Sequence, residues 1–173
     1  MKLRLANLSV TILSLTVFAC APVFAQEPVV GVADPEALFH DKDPKLNANK
    51  QVAYHIMLDL LECNHWNEAE KWLTAEYHQH NPMAASGRAG VIAFFSARKP
   101  TPLPAKMQTK IVAVLADGDL VTVVTPRTYD DPRKPGEKYY TTWFDMWRFK
   151  DGKADEHWDN QTIAAPNPNA KGK

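Results

Sequence analysis

The chain has 173 residues, and its 20 Lys and Arg balance 20 Asp and Glu, for a formal net charge of zero. With a sequence pI near 7.0 and no basic stripe, the composition argues against a nucleic-acid partner. Of two cysteines, Cys20 falls in an N-terminal apolar run and leaves Cys63 alone, so no disulfide framework is expected.

Lys2 and Arg4 precede an apolar stretch over 5–21 that is too short and too interrupted for a membrane span, and Val23-Phe24-Ala25 follows as a small-x-small cleavage site. Residues 1–25 therefore read as a signal peptide, which predicts a periplasmic or secreted protein. Losing Lys2 and Arg4 shifts the balance to about −2. The alternative is a lipoprotein site, Val17-Phe18-Ala19-Cys20. Residues 26–46, with Pro28, Pro35 and Pro44, read as an extended lead-in. One domain over 47–162 and a disordered tail over 163–173 complete the organisation.

Within the domain, Val52, Ala53, Ile56, Met57, Leu60 and Leu61 recur at helical spacing and predict an amphipathic helix over 47–63. In that helix Cys63 reads as an inert core thiol. A second short helix is expected over 66–73 with Asn67 as its cap, then a polar connector over 76–82, and a third helix over 87–97 capped by Ser86 and carrying Phe94 and Phe95. After the Pro100, Pro102, Pro104 run the period changes to two. Strands are expected over 107–116 and 120–125, joined at Asp117-Gly118, and over 139–149 and from 154 onward, joined at Asp151-Gly152. The fold class is thus α+β: three N-terminal helices, then four long antiparallel strands. Tyr140, Phe144 and Met146 make the second sheet face partly apolar, which predicts a homodimer through the sheet.

The last hairpin carries the candidate site. Asp145 lies between Trp143 and Trp147 on one strand face, and burying a carboxylate among aromatic rings is unfavourable unless it is hydrogen-bonded or protonated. A pocket acid or base has this appearance; a structural pairing with a neighbouring His or Arg is the plainer alternative. A two-residue Asp-Gly loop places Asp145 opposite Trp158 and Trp143 opposite Asn160, with Arg148 opposite Asp155 on the other face. A bulged loop would instead bring His157 to Asp145. In the first register His157 and Asp159 face away from Asp145. His78 and His80 alternate with Glu76 along the connector, a spacing that could hold a metal, but no further strong ligand stands near them and no metal is assigned. No nucleophile, phosphate loop or dinucleotide fingerprint is present.

Tyr77-His78-Gln79-His80-Asn81-Pro82, the helix start Gly87-Arg88-Ala89-Gly90 with Phe94-Phe95, and Phe144-Asp145-Met146-Trp147-Arg148-Phe149 running into Glu156-His157-Trp158-Asp159 resemble the SnoaL-like family of the nuclear-transport-factor-two-like superfamily. The resemblance spans about 47–162 and implies a cone: a curved antiparallel sheet wrapped around three helices and enclosing an apolar pocket. It also implies acid–base chemistry without metal or cofactor on a small apolar or carbonyl-containing ligand. Asp145 matches the pocket Asp that takes a proton next to the carbonyl, and His80 sits at the pocket mouth as the second catalytic candidate. Tyr77, Phe94, Trp143, Trp147, Trp158 and Asn160 are expected to contact substrate. Where many relatives carry His on the second strand, this chain has Val121-Thr122-Val123-Val124-Thr125. The superfamily includes cyclases, isomerases and dehydratases as well as pure binding and dimerisation modules, so both an enzyme and a non-catalytic module remain open.

Overall fold

The computed structural model describes residues 26–163. Asp43 caps the first helix, α1 (Pro44–His55), by accepting from the backbone N–H groups of Lys45 and Leu46, and Pro44 occupies a first-turn position where its missing N–H is harmless. Helix α1 continues directly into a π-helical stretch, Ile56–Glu62, so the predicted helix over 47–63 starts earlier and ends in a widened coil. The predicted second helix is a 3-10 segment, Trp66–Lys71, without an Asn67 cap. Helix α2 spans Arg88–Phe95. Ser86 does not cap it. Its hydroxyl is held by the backbone of Gln79, and Gly87, at a φ of 86° that favours glycine, makes the turn into the helix.

Five strands form one sheet in the order β1-β5-β4-β3-β2, with β1 Leu73–Gln79, β2 Ala113–Asp117, β3 Leu120–Asp130, β4 Lys138–Lys150 and β5 Lys153–Asp159. The expectation of four antiparallel strands is corrected in two places. The polar connector is strand β1, which pairs in parallel with β5. Strand β2 is shorter than 107–116, because the Glu62 carboxylate takes the N–H groups of Gln108 and Thr109 and the Thr109 hydroxyl, drawing that segment off the ladder. The lead-in joins the core as well: Phe39 is fully buried and Val32 N–H donates to Ile111 O. Cys63 is buried, and burial pushes its thiol up, in keeping with an inert core thiol.

The helices cover one face of the curved sheet, and the core runs from Phe39 and Leu60 through Leu73 to Val121, Val123, Trp147 and Phe149. The Asp151-Gly152 turn has positive φ at both positions and pairs Lys150 with Lys153 and Phe149 with Ala154, as the two-residue loop requires. Then the register slips. Arg148 pairs with Glu156, Trp147 with His157 and Asp145 with Asp159, so Asp155 is an extra residue on β5. Its carboxylate accepts from the Thr74 hydroxyl at 2.7 Å, which ties the bulge to β1. The expected pairing of Asp145 with Trp158, and of Arg148 with Asp155, is therefore corrected: the bulge reverses which residues of β5 face inward. Arg148 instead bridges Glu156 and Asp119 on the outer face. The predicted signal peptide, the Cys20 site and residues 164–173 of the tail lie outside the described residues.

Candidate functional site

Between the helices and the inner sheet face lies a cavity of about 440 Å³. Its apolar end is formed by Ile56, Met57, Leu60, Trp66, Val91 and Phe95. The inner positions of three adjacent strands form the polar end: Tyr77 and Gln79 from β1, His157 and Asp159 from β5, and Trp143 and Asp145 from β4.

Asp145 and His157 are both buried, and His157 Nε2 lies 3.1 Å from Asp145 Oδ1. Two nitrogen and oxygen lone pairs do not meet at that distance without a proton between them. The other ring nitrogen, Nδ1, lies 2.7 Å from Gln79 Oε1, and the same oxygen accepts from Asn81 N–H at 3.0 Å. The backbone donor fixes which end of the Gln79 amide is oxygen, so Nδ1 must carry a proton. Asp145 Oδ1 also accepts from the Trp143 indole N–H at 3.2 Å. Among the described residues Oδ2 has no partner, which leaves it available to a bound molecule.

Tyr77 is buried behind the pair. Its hydroxyl oxygen accepts from the Trp147 indole N–H at 3.0 Å, so its own O–H remains free to donate. Burial pushes the Tyr77 phenol far up, with the nearby carboxylates of Asp145 and Asp159 adding to the effect against the Trp147 hydrogen bond. The native phenol thus holds its proton more tightly than the unfolded chain does. The resulting stability is present below the ordinary tyrosine range and is lost as pH rises above about 10, because the unfolded phenol ionises first. At pH 11 the loss should approach about 1.4 kcal/mol. Urea unfolding at pH 8 and pH 11 should show this decrement in the wild type and not in Tyr77→Phe; an equal decrement in both would refute the assignment.

Asp159 completes the polar end. One of its oxygens accepts from the Asn81 side-chain amide and the other from Gln161 N–H. The ligand atoms of Asp145, His157 and Asp159 lie within 4.8 Å of one another, which makes these three a trio that could hold a metal ion. A cation there would have to displace the His157–Asp145 hydrogen bond.

Of the residues singled out from the sequence, Asp145, Tyr77, Phe94, Trp143 and Trp147 line the cavity, with Phe94 at its more exposed side. His80, Trp158 and Asn160 do not. His80 Nε2 bonds Glu156 at 2.9 Å on the outer face, and its ring stacks on Trp158 at 5.2 Å. The Asn160 side chain accepts from Phe144 N–H. Sequence reasoning placed His157 and Asp159 on the wrong face and passed over Gln79, Asn81 and Arg127. The alternation Tyr77, Gln79 on a strand was the signal that would have found Gln79, had the segment been read as β1.

A curved mixed sheet over short helices, enclosing a cavity with an Asp–His pair at its polar end, defines an α+β cone. The chain belongs to the SnoaL-like domain family, whose sequence profile matches residues 56–157. No curated protein matches the chain. Among solved structures, a proposed SnoaL-like polyketide cyclase from Jannaschia sp. CCS1 is 18% identical, with a TM-score of 0.48 and coverage of 70% of this chain and 91% of that one. A proposed ketosteroid isomerase from Kribbella flavida is 18% identical, with a TM-score of 0.47 and coverage of 69% and 83%. An NTF2-like protein of unknown function from Burkholderia pseudomallei is 16% identical, with a TM-score of 0.47 and coverage of 65% and 89%. At these identities the likeness extends no further than the fold.

Proposed function

We propose that the protein is an exported acid–base catalyst of the cyclase, isomerase or dehydratase type, acting on a small carbonyl compound held in the cavity. The observation that carries this reading is the contact between His157 Nε2 and Asp145 Oδ1 at the polar end of an otherwise apolar cavity. Asp145 Oδ2 takes a proton from the carbon next to the substrate carbonyl, and the electron pair of that C–H bond moves into the enolate. The Tyr77 O–H donates to the enolate oxygen, where charge develops. Asp145 then returns the proton to carbon or oxygen, and His157 holds Oδ1 in place throughout. Proton transfer of this kind needs neither metal nor organic cofactor. A panel of small cyclic ketones and β-dicarbonyl compounds incubated with the protein in D2O should acquire deuterium at the α-carbon. A panel that stays unlabelled while it binds would move the reading to the alternative, a non-catalytic small-molecule-binding or dimerisation module. Two observations favour that alternative: Val123, opposite Asp145 on β3, offers no titratable partner, and Phe144 is exposed on the outer face, as a sheet-to-sheet homodimer would use it.

Export rests on the basic start, the apolar run and the Val23-Phe24-Ala25 site. N-terminal sequencing of protein recovered from the periplasm or medium should begin at Gln26. A retained Met1 would refute export by this route, and a lipid on Cys20 would establish the lipoprotein route.

A further inference from the structure

Two guanidinium groups stand on the cavity wall away from the Asp–His pair. Arg127 follows Thr125 on the inner face of β3, and Arg98 lies just past the end of α2. Neither makes an ion pair among the described residues, where the other ion pairs draw in Lys50, Lys71, Arg133, Lys134, Lys138 and Arg148. Each guanidinium instead rests against an aromatic ring of the cavity wall: Arg127 lies 5.9 Å from the Trp143 ring centre and Arg98 lies 4.9 Å from that of Phe95. The one hydrogen bond found for Arg127 runs from Nη1 to the neighbouring Pro126 carbonyl, so most of its donor fork is unused.

Charge around the cavity points the same way. Asp145 and His157 share one proton across their contact and have no net charge as a pair, whichever atom holds it. Asp159 contributes one negative charge, and Arg98 and Arg127 contribute two positive ones, so the wall is left with an excess of positive charge. An uncharged ligand leaves that excess unanswered. We propose that the ligand is an anionic amphipath: an aromatic or branched aliphatic body carrying a carboxylate, the carboxylate seated on Arg127 with Arg98 supporting it at the rim. The planar fork of an Arg matches a carboxylate in two parallel hydrogen bonds. Trp143 fixes the distance between the two ends. Its ring face carries Arg127 and its indole N–H carries Asp145, so the carboxylate and the reacting carbon sit about one indole apart. The apolar body then lies against Trp66, Phe95 and Leu60. This rests on the cavity being the ligand site, but not on Asp145 being a base.

Phenylnaphthylamine, an uncharged fluorescent probe, reports occupancy of the cavity. Naphthylacetate and naphthylacetamide, which share one body and differ in charge, then compete for it. Wild-type protein should prefer the acetate by about ten- to hundredfold, the range of one charge-assisted pair of hydrogen bonds. The preference should shrink at high salt, because the mouth is partly open to solvent. Arg127→Gln should bind both competitors equally while retaining the affinity of wild-type protein for phenylnaphthylamine, which also confirms that the cavity has folded. Arg98→Gln should show a smaller loss of preference. Equal binding of acetate and acetamide by the wild type, or a preference that survives in Arg127→Gln, would overturn the anion assignment and leave the acid–base reading standing. Failure of all three compounds to bind would overturn both.

Discussion

Asp145→Asn is expected to lower turnover by about 10²–10⁴-fold, the range over which a positioned general base acts, with the fold intact. Asn keeps an oxygen that can accept from the Trp143 indole and from His157, so the hydrogen bonds at Oδ1 survive. What is lost is the second carboxylate oxygen and its capacity to take a proton. The same change relieves repulsion with Asp159, directly across in the β4–β5 ladder, but takes the carboxylate away from the His157 ring with which it forms a pair of no net charge. The two effects oppose one another, so the variant should melt close to the wild type. Lost activity with unreduced stability is the mark of a group retained for chemistry. The opposite pattern, in which turnover and ligand affinity are untouched and the melting temperature falls, would make Asp145 a structural hydrogen-bond hub and leave the binding-module reading in its place.

Trp147→Ala is expected to produce the largest loss of stability. The ring is 1% exposed, sits in the middle strand of the sheet and donates to the Tyr77 hydroxyl. Truncating a fully buried Trp costs about 3–5 kcal/mol through lost transfer energy and the cavity left behind. For a domain of this size that corresponds to a fall in Tm of about 10–15 °C by calorimetry. Trp147→Phe fills most of the volume and should lose much less. It also frees the Tyr77 oxygen of its donor, so its turnover should suffer out of proportion to its melting temperature. Wild-type turnover in Trp147→Phe would mean that the indole N–H contributes nothing beyond volume.

The parts of the fold that the sequence made legible are those with strong local signals. Helical spacing from Val52 to Leu61 marked α1 and its continuation, the Asp151-Gly152 pair marked the hairpin, and the placing of Asp145 between two Trp residues marked the polar end of a cavity. The parts that were not legible depend on contacts across the chain. Strand β1 reads as a connector because Glu76, His78 and His80 look outward to solvent while its inner face, Tyr77 and Gln79, lines the polar end of the cavity. Residues 107–109 alternate like a strand, but their backbone donors are claimed by the Glu36 and Glu62 carboxylates, which lie far away in sequence. The inward set of β5 was misread because nothing in Ala154-Asp155-Glu156 announces a bulge. Only the Thr74 hydroxyl, on another strand, holds Asp155 where it is.

That single supernumerary residue on β5 has an evolutionary consequence. With Asp155 kept in the chain but drawn into the ladder, the regular pairing set by the Asp-Gly turn would run on, and every side chain beyond Ala154 would exchange faces. His157 and Asp159 would leave the cavity, and Glu156 and Trp158 would enter it. Deleting Asp155 does the reverse: Glu156 then follows Ala154 directly, and the present partners meet without a bulge. The chemistry of the pocket is thus indifferent to loss of the extra residue and sensitive to loss of what holds it out. Among relatives of this chain, hairpins one residue shorter at this point should keep the imidazole–carboxylate wall, while hairpins of this length without a hydroxyl at the position of Thr74 should present an indole and a lone glutamate.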